Sequence, residues 1–130
     1  MIRVPASQLI RVLVVEEDAR VQGAITATIA LETDLILVGA YADTANALAA
    51  ATLSRPAVAL VNVPRPEKEL GLDLIRALSL TSSCAVVAMS ARGGLRRAAL
   101  DAGAVAFVQK SGDIDAILAA VRHAGGQARR

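Results

Sequence analysis

Length, composition and charge already exclude several classes of protein. The chain has 130 residues, enough for one ordinary domain, and its 55% hydrophobic and 20% charged residues are typical of a packed core rather than of a disordered segment. A net charge of +2 and an aromatic content of 2% do not favour a nucleic-acid surface built on basic and stacking side chains. One cysteine and one histidine are too few for a disulfide framework or a common Cys/His zinc site.

Five short apolar segments predict β-strands. Each segment is continuous rather than alternating, which is the pattern of a parallel strand buried on both faces. The spacing between the segments leaves room for one crossover helix each time. The predicted strands are Val12–Val15, Leu35–Val38, Ala57–Val61, Ala85–Met89 and Val105–Val108.

The sequence between these strands predicts helices. Apolar residues recur there at spacings of three and four, as they do on one face of a helix. Asp43 and Asp113 are predicted N-caps, and Gly125 and Gly126 are predicted to end the last helix. The helices are predicted near residues 21–29, 44–53, 70–78, 94–102 and 114–121.

The alternation of strands and helices predicts an α/β protein with an open, doubly wound parallel sheet. Sites in such sheets lie beyond the carboxyl ends of the strands. No glycine-rich loop follows the first strand, so a Rossmann or P-loop phosphate site is not expected. The first polar residues after four of the strands should instead meet at this edge, and they are Glu16, Glu17, Asn62, Ser90 and Lys110.

Three segments of the chain, at residues 38–62, 88–91 and 102–110, resemble the receiver domain of bacterial two-component response regulators. The resemblance runs from about Arg11 to Ala124. It is closest to receivers of the NarL/LuxR type, which precede a helix-turn-helix DNA-binding domain. It implies a flavodoxin-like (βα)5 fold, with a five-stranded parallel sheet in the order 2-1-3-4-5 and helices on both faces.

The resemblance also implies roles for single residues. Glu16 and Glu17 match the acidic pair that helps to bind Mg²⁺ in the family, where oxygen ligands suit this hard cation. Lys110 matches the lysine that contacts the transferred phosphoryl group. Ser90 matches the switch hydroxyl and Phe107 the switch aromatic, which move together when the family's receivers change state.

Asn62 departs from the family's pattern, because it stands where the phosphoacceptor aspartate is expected. A neutral amide is a poor nucleophile toward phosphorus and offers no negative charge to Mg²⁺. Both acids of the pair are glutamates, one methylene longer than aspartate, and residues 63–71 lack the family's Met-Pro-Gly step. We therefore expect no catalytic residue, at most a weak Mg²⁺ site at Glu16 and Glu17, and no other cofactor.

These observations predict an atypical receiver that works without aspartyl phosphorylation and is not an enzyme. We expect a signalling module that forms a homodimer, responds to a small-molecule or protein effector, and regulates transcription as the N-terminal part of a longer protein. DNA would then be contacted only by a downstream domain. Residues 1–10 are interpreted as an N-terminal extension, residues 11–124 as the receiver-like domain, and residues 125–130 as a tail or the start of a linker.

Membrane and export signals are not found in the sequence. No apolar run reaches the roughly 18 residues that a membrane-spanning helix needs. The N-terminus also lacks the long apolar region of a signal peptide. We therefore expect a cytoplasmic protein without membrane contact.

Several residues have an alternative interpretation. Asparagine is also common in turns that follow strands, which would give Asn62 a purely structural role. An aspartate-to-asparagine change introduced at this position would give the same sequence. Phe107 fits simple core packing, and Lys110, without a phosphoryl group to contact, is predicted to pair with Glu17 or Asn62. For the whole chain, the alternatives are a stand-alone interaction module and, with less support, a small flavodoxin-like nucleotide-binding protein.

Overall fold

The computed structural model describes residues 9–64, 67–81, 83–91, 93–110 and 113–128. Within these ranges, five β-strands alternate with five α-helices. The strands are β1 (Ile10–Val15), β2 (Leu35–Tyr41), β3 (Val58–Asn62), β4 (Ala85–Ser90) and β5 (Ala106–Gln109). The helices are α1 (Ala19–Ala30), α2 (Thr44–Ser54), α3 (Lys68–Thr81), α4 (Arg96–Ala102) and α5 (Ile114–Ala128).

The strands form one parallel sheet in the order β2-β1-β3-β4-β5. The predicted doubly wound (βα)5 architecture is therefore confirmed. At the carboxyl ends, Asn62 of β3 pairs with Met89 of β4, one residue before Ser90. The polar residues that end or follow these strands consequently share one edge of the sheet.

Helices cover both faces of the sheet. α1 and α5 pack on one face, around Val12 and Val14 of β1, whereas α2, α3 and α4 pack on the other face, around Leu13 and Val15. Successive residues of a strand point to opposite faces of the sheet. Since helices cover both faces, all four of these side chains are at most 4% exposed. This two-sided burial is the reason that the strand sequences are continuously apolar.

Aspartates cap the amino ends of α1, α2 and α5. The Asp43 carboxylate accepts a hydrogen bond from the backbone N–H of Asn46 at 2.8 Å, and Asp113 accepts one from the N–H of Asp115 at 3.1 Å. Both predicted caps are therefore confirmed. Asp18 caps α1 in the same way, so this helix begins at Ala19, two residues after Glu17.

The prediction that Gly125 and Gly126 end the last helix is wrong, since α5 continues through both residues to Ala128. Gly125 is buried, and a Cβ atom placed on it would lie 2.7 Å from Cδ1 of Ile10. The missing side chain thus lets α5 approach β1 closely. A larger residue at this position would displace Ile10, which is a packing reason for glycine inside the helix despite its intrinsic cost of roughly 1 kcal/mol.

The proposed division into an extension, a receiver-like domain and a tail stays a prediction. Residues 1–8 of the extension and residues 129–130 of the tail lie outside the described residues. β1 begins at Ile10, within the range assigned to the extension, and α5 enters the range assigned to the tail. Among the described helices, none is long and apolar enough to cross a lipid bilayer.

Candidate functional site

The carboxyl edge of the sheet holds a cluster of polar side chains. Glu16 and Glu17 follow β1, Asn62 ends β3, Ser90 ends β4, and Lys110 follows β5. Glu16, Asn62 and Ser90 are buried at 0%, 5% and 1% exposure, a degree of burial that polar side chains rarely reach without partners. We refer to these five residues as the strand-end cluster.

Glu16 forms a buried ion pair with Lys110. The Lys110 ammonium donates to Oε1 of Glu16 at 2.8 Å, and the backbone N–H of Asp18 donates to Oε2 at 3.1 Å. Both carboxylate oxygens of this fully buried side chain are therefore satisfied, which its burial requires. The Gln22 side chain adds a third tie to the same residue, since its amide donates to the Glu16 carbonyl at 3.0 Å.

The predicted partners of Lys110, Glu17 or Asn62, are therefore wrong, and Glu16 takes this role. Adjacent residues of an extended chain point in opposite directions. Glu16 consequently turns into the interior, within reach of β5, whereas Glu17 turns outward and is exposed. The sequence shows that two acids follow β1, but it does not show which of them faces the interior.

Asn62 pairs with Glu17 instead. Its side-chain Nδ2 donates to both carboxylate oxygens of Glu17, at 2.9 Å and 3.1 Å. The amide thus acts as a hydrogen-bond donor toward an acid, which a carboxylate at the same place could not do at neutral pH. Each of the two neighbouring glutamates thus has a partner within the protein. Glu16 pairs with the Lys110 ammonium, and Glu17 accepts hydrogen bonds from the Asn62 amide.

Ser90 and Phe107 complete the set of predicted site residues. The carbonyl of Ser90 accepts a hydrogen bond from the backbone N–H of Lys110 at 2.7 Å, which ties the end of β4 to the residue that follows β5. Phe107 lies three residues earlier on β5, opposite Ala88 of β4. It is half-buried and packs against the apolar cluster beneath α2, α3 and α4.

A cavity of about 350 Å³ opens beside Glu17 and Asn62. Three further polar residues, Asp43, Thr44 and Glu67, line it. Sequence reasoning treated Asp43 only as a helix cap and overlooked the others. The available signal was that Asp43 and Thr44 follow β2, whose carboxyl end lies at the same edge as that of β1.

The Asp43 carboxylate is hydrogen-bonded to the first turn of α2. The backbone N–H and the side chain of Asn46 both donate to it and hold its pKa below the ordinary value. Together with Glu17 and Glu67, it gives the cavity an acidic rim, and none of the described residues that line this cavity is basic.

The donor set at this edge does not fit Mg²⁺. That ion demands nearly octahedral coordination by oxygen atoms. Here the oxygens of Glu16 accept from Lys110 and from a backbone N–H, while those of Glu17 accept from the Asn62 amide. Among the described residues, no group of three or more His, Cys, Asp or Glu side chains could hold a metal ion.

The parallel sheet and its polar carboxyl edge define a flavodoxin-like α/β protein of the kind that carries its site at the strand ends. The sequence profile of the response regulator receiver domain matches residues 12–122. The chain therefore belongs to the response regulator receiver domain family, the receivers of two-component signalling. A search of curated protein sequences gives no significant match.

Solved structures show the same fold. A LuxR-family two-component response regulator from Aurantimonas sp. SI85-9A1 has a TM-score of 0.82 at 18% identity, covering 92% of this chain and 86% of that one. The response regulator domain of Thermotoga maritima CheB has a TM-score of 0.81 at 24% identity, covering 91% and 97%. A LuxR-family DNA-binding response regulator from Staphylococcus aureus has a TM-score of 0.80 at 17% identity, covering 90% and 99%.

Proposed function

We propose that Asn62 occupies the phosphoacceptor position of this receiver and that the domain is regulated without aspartyl phosphorylation. The observation that carries this proposal is the pair of hydrogen bonds from the Asn62 amide to both oxygens of Glu17. An acceptor aspartate works as a carboxylate nucleophile. The amide found here is neutral, and its N–H group is directed at a neighbouring acid.

The charges of the strand-end cluster support the same conclusion. Phosphoryl transfer depends mainly on positioning and on neutralising the charge of the transferred group. In this chain the Lys110 ammonium is bonded to the buried carboxylate of Glu16. The Lys110 ammonium and the carboxylates of Glu16 and Glu17 therefore have partners inside the cluster, and none of these contacts requires a phosphoryl group or a metal.

The function that fits this arrangement is a regulatory interaction module rather than an enzyme. Receivers act on partner proteins such as kinases and effector domains, and two of the structural neighbours are LuxR-family regulators. We infer that this domain is the regulatory part of a cytoplasmic transcriptional regulator that works as a homodimer. DNA would be contacted by a further domain, and a small molecule or protein partner would set the state of the receiver.

A two-dimensional amide NMR titration tests the proposal. Mg²⁺ is added first and beryllofluoride, a phosphoryl mimic, second, to the wild type and to Asn62→Asp. The wild type should show no saturable shifts, whereas Asn62→Asp should respond at Glu17, Ser90 and Phe107. Asn46→Asp is the matched control, because Asn46 makes the same amide-to-carboxylate contact with Asp43 at an exposed position, at 2.8 Å.

Two results would contradict the proposal. Saturable, stoichiometric shifts in the wild type would show a working anion site and end the phosphorylation-independent interpretation. A folded Asn62→Asp protein that shows no shifts with Mg²⁺ and beryllofluoride would contradict the assignment of position 62 as the acceptor position. Fluoride without beryllium is added in parallel, so that a simple salt effect is recognised.

A further inference from the structure

An open groove runs between α1 and α5, on the face of the sheet that does not carry the acidic cavity. Its volume is about 570 Å³, within the range of sites that hold small molecules. The walls are apolar: Val21, Ala24 and Ile25 come from α1, and Ile114 and Ile117 come from α5. A ligand of this groove would therefore bury a hydrocarbon portion against both helices.

Two cations lie at the end of the groove nearest the strand ends, Arg20 of α1 and Lys110. Arg20 is exposed, and none of the described residues forms an ion pair with its guanidinium. Among the described residues, the Lys110 ammonium donates only to Glu16, and an ammonium carries three N–H donors. None of the described residues that line the groove is acidic.

We propose that this groove binds a small amphiphilic anion. Its carboxylate would lie between Arg20 and Lys110, and its hydrocarbon portion would lie against Val21, Ala24 and Ile117. The charge of the groove's end selects a negative head group, since a guanidinium and an ammonium both form short, charge-assisted hydrogen bonds with carboxylates. The apolar walls select against a highly polar ligand such as a nucleotide, whose hydrogen-bonding groups would lose water without finding partners.

Lys110 connects this groove to the strand-end cluster. A carboxylate bound at Lys110 would share the ammonium with Oε1 of Glu16. The other carboxylate oxygen of Glu16 accepts from the backbone N–H of Asp18, the residue that caps α1. Occupancy of the groove would therefore change the environment of Glu16 and, through the adjacent residue, the contact between Glu17 and Asn62. This regulatory consequence rests on the proposed function, whereas binding in the groove does not.

The probe for the test is decanoate, used below its micelle concentration and followed by amide NMR and titration calorimetry. We expect saturable one-to-one binding, with shifts concentrated in α1, α5 and the Lys110 amide. Decanol and decyltrimethylammonium carry the same chain with a neutral and a positive head. Both should bind at least about tenfold more weakly, since loss of one charge-assisted contact corresponds to a factor of this order.

Three variants locate the site. Arg20→Gln should weaken decanoate binding about tenfold, and Ala24→Phe, at an exposed position of α1, should abolish binding by filling the groove. Arg96→Gln is the matched control, because Arg96 is an exposed arginine on α4, which packs on the opposite face of the sheet. Its affinity should equal that of the wild type.

Equal affinities for the three probes, or an Arg20→Gln protein that binds as well as the wild type, would overturn the proposal. Sedimentation gives a further decisive result. A wild-type dimer that Ala24→Phe converts to a monomer, with no decanoate bound, would show that a second copy of the chain covers the groove. The beryllofluoride titration separates the two proposals, because it reports on the strand ends whether or not decanoate binds.

Discussion

Ionic contacts lie at both ends of the sheet, and they differ mainly in exposure. At the carboxyl end, Glu16 is fully buried and the Lys110 side chain is 19% exposed. At the amino end, Arg122 of α5 bonds Asp34, just before β2, and Glu32, and the three side chains are 39%, 33% and 30% exposed. The same kinds of group are thus placed once in the interior and once in a partly exposed position.

This difference determines what each contact contributes. Water and salt screen an exposed ion pair, which typically contributes no more than about 1 kcal/mol. A buried pair has already lost its water, so removal of one partner leaves an uncompensated charge and costs about 3–5 kcal/mol. The amino-end contact therefore adds stability in small increments, whereas the carboxyl-end contact restricts which residues the site can tolerate.

The largest effect is expected for Lys110→Met, which leaves the buried Glu16 carboxylate without its ammonium. The free energy of unfolding should fall by about 3 kcal/mol. Urea denaturation measures this loss. The double variant Glu16→Gln with Lys110→Met is the control and should recover part of the loss, because no charge then remains buried. A loss below about 1 kcal/mol in the single variant would show that the two ends do not differ as described.

A smaller effect is expected for Asn62→Asp, which replaces the amide donor by a carboxylate about 3 Å from Glu17. Like charges at this distance should lower the free energy of unfolding by about 2 kcal/mol. Added Mg²⁺ should restore part of it, since the change supplies a further anionic oxygen ligand. Thermal unfolding with and without Mg²⁺ measures both.

The exposed counterpart of this variant is Asn46→Asp beside Asp43. It should show little loss of stability and no response to Mg²⁺, because water solvates both carboxylates and a negative charge is favourable near a helix amino end. Equal behaviour of the two variants would mean that burial does not distinguish the two contacts.

The smallest effect is expected for Asp34→Asn at the amino end. Hydrogen bonds from Arg122 hold the pKa of Asp34 below its ordinary 3.8. The folded-state pKa is depressed, so the stabilisation is present above about pH 4 and is lost as the pH falls through the lowered value. At pH 7 the free energy of unfolding of the variant should be lower by about 0.5–1 kcal/mol, and the two proteins should converge once the pH is below the lowered pKa of Asp34.

Urea denaturation across this pH range tests the sign as well as the size of the Asp34 effect. Asp101→Asn is the control, because Asp101 pairs with Arg97 at 3.6 Å with both side chains largely exposed. It should show almost no change at any pH. A difference between wild type and Asp34→Asn that grows toward low pH would contradict the assignment to Arg122.

Most of the fold could be predicted from the sequence, because its signals are local. Apolar runs at crossover spacing gave the five strands, and Asp43 and Asp113 gave two helix starts. The end of α5 could not be predicted, because the close packing of Gly125 against Ile10 is seen only in the folded structure. That contact joins opposite ends of the chain and leaves no local signal.

The candidate site divides in the same way. Its members could be predicted, since the carboxyl ends of parallel strands meet at one edge whatever their side chains do. The sequence alone therefore determined that Glu16, Glu17, Asn62, Ser90 and Lys110 lie together. Only the tertiary structure decided that Lys110 pairs with Glu16 and Asn62 with Glu17. The direction of each side chain depends on the packing around it, and two identical neighbours in the sequence became one buried acid and one exposed acid.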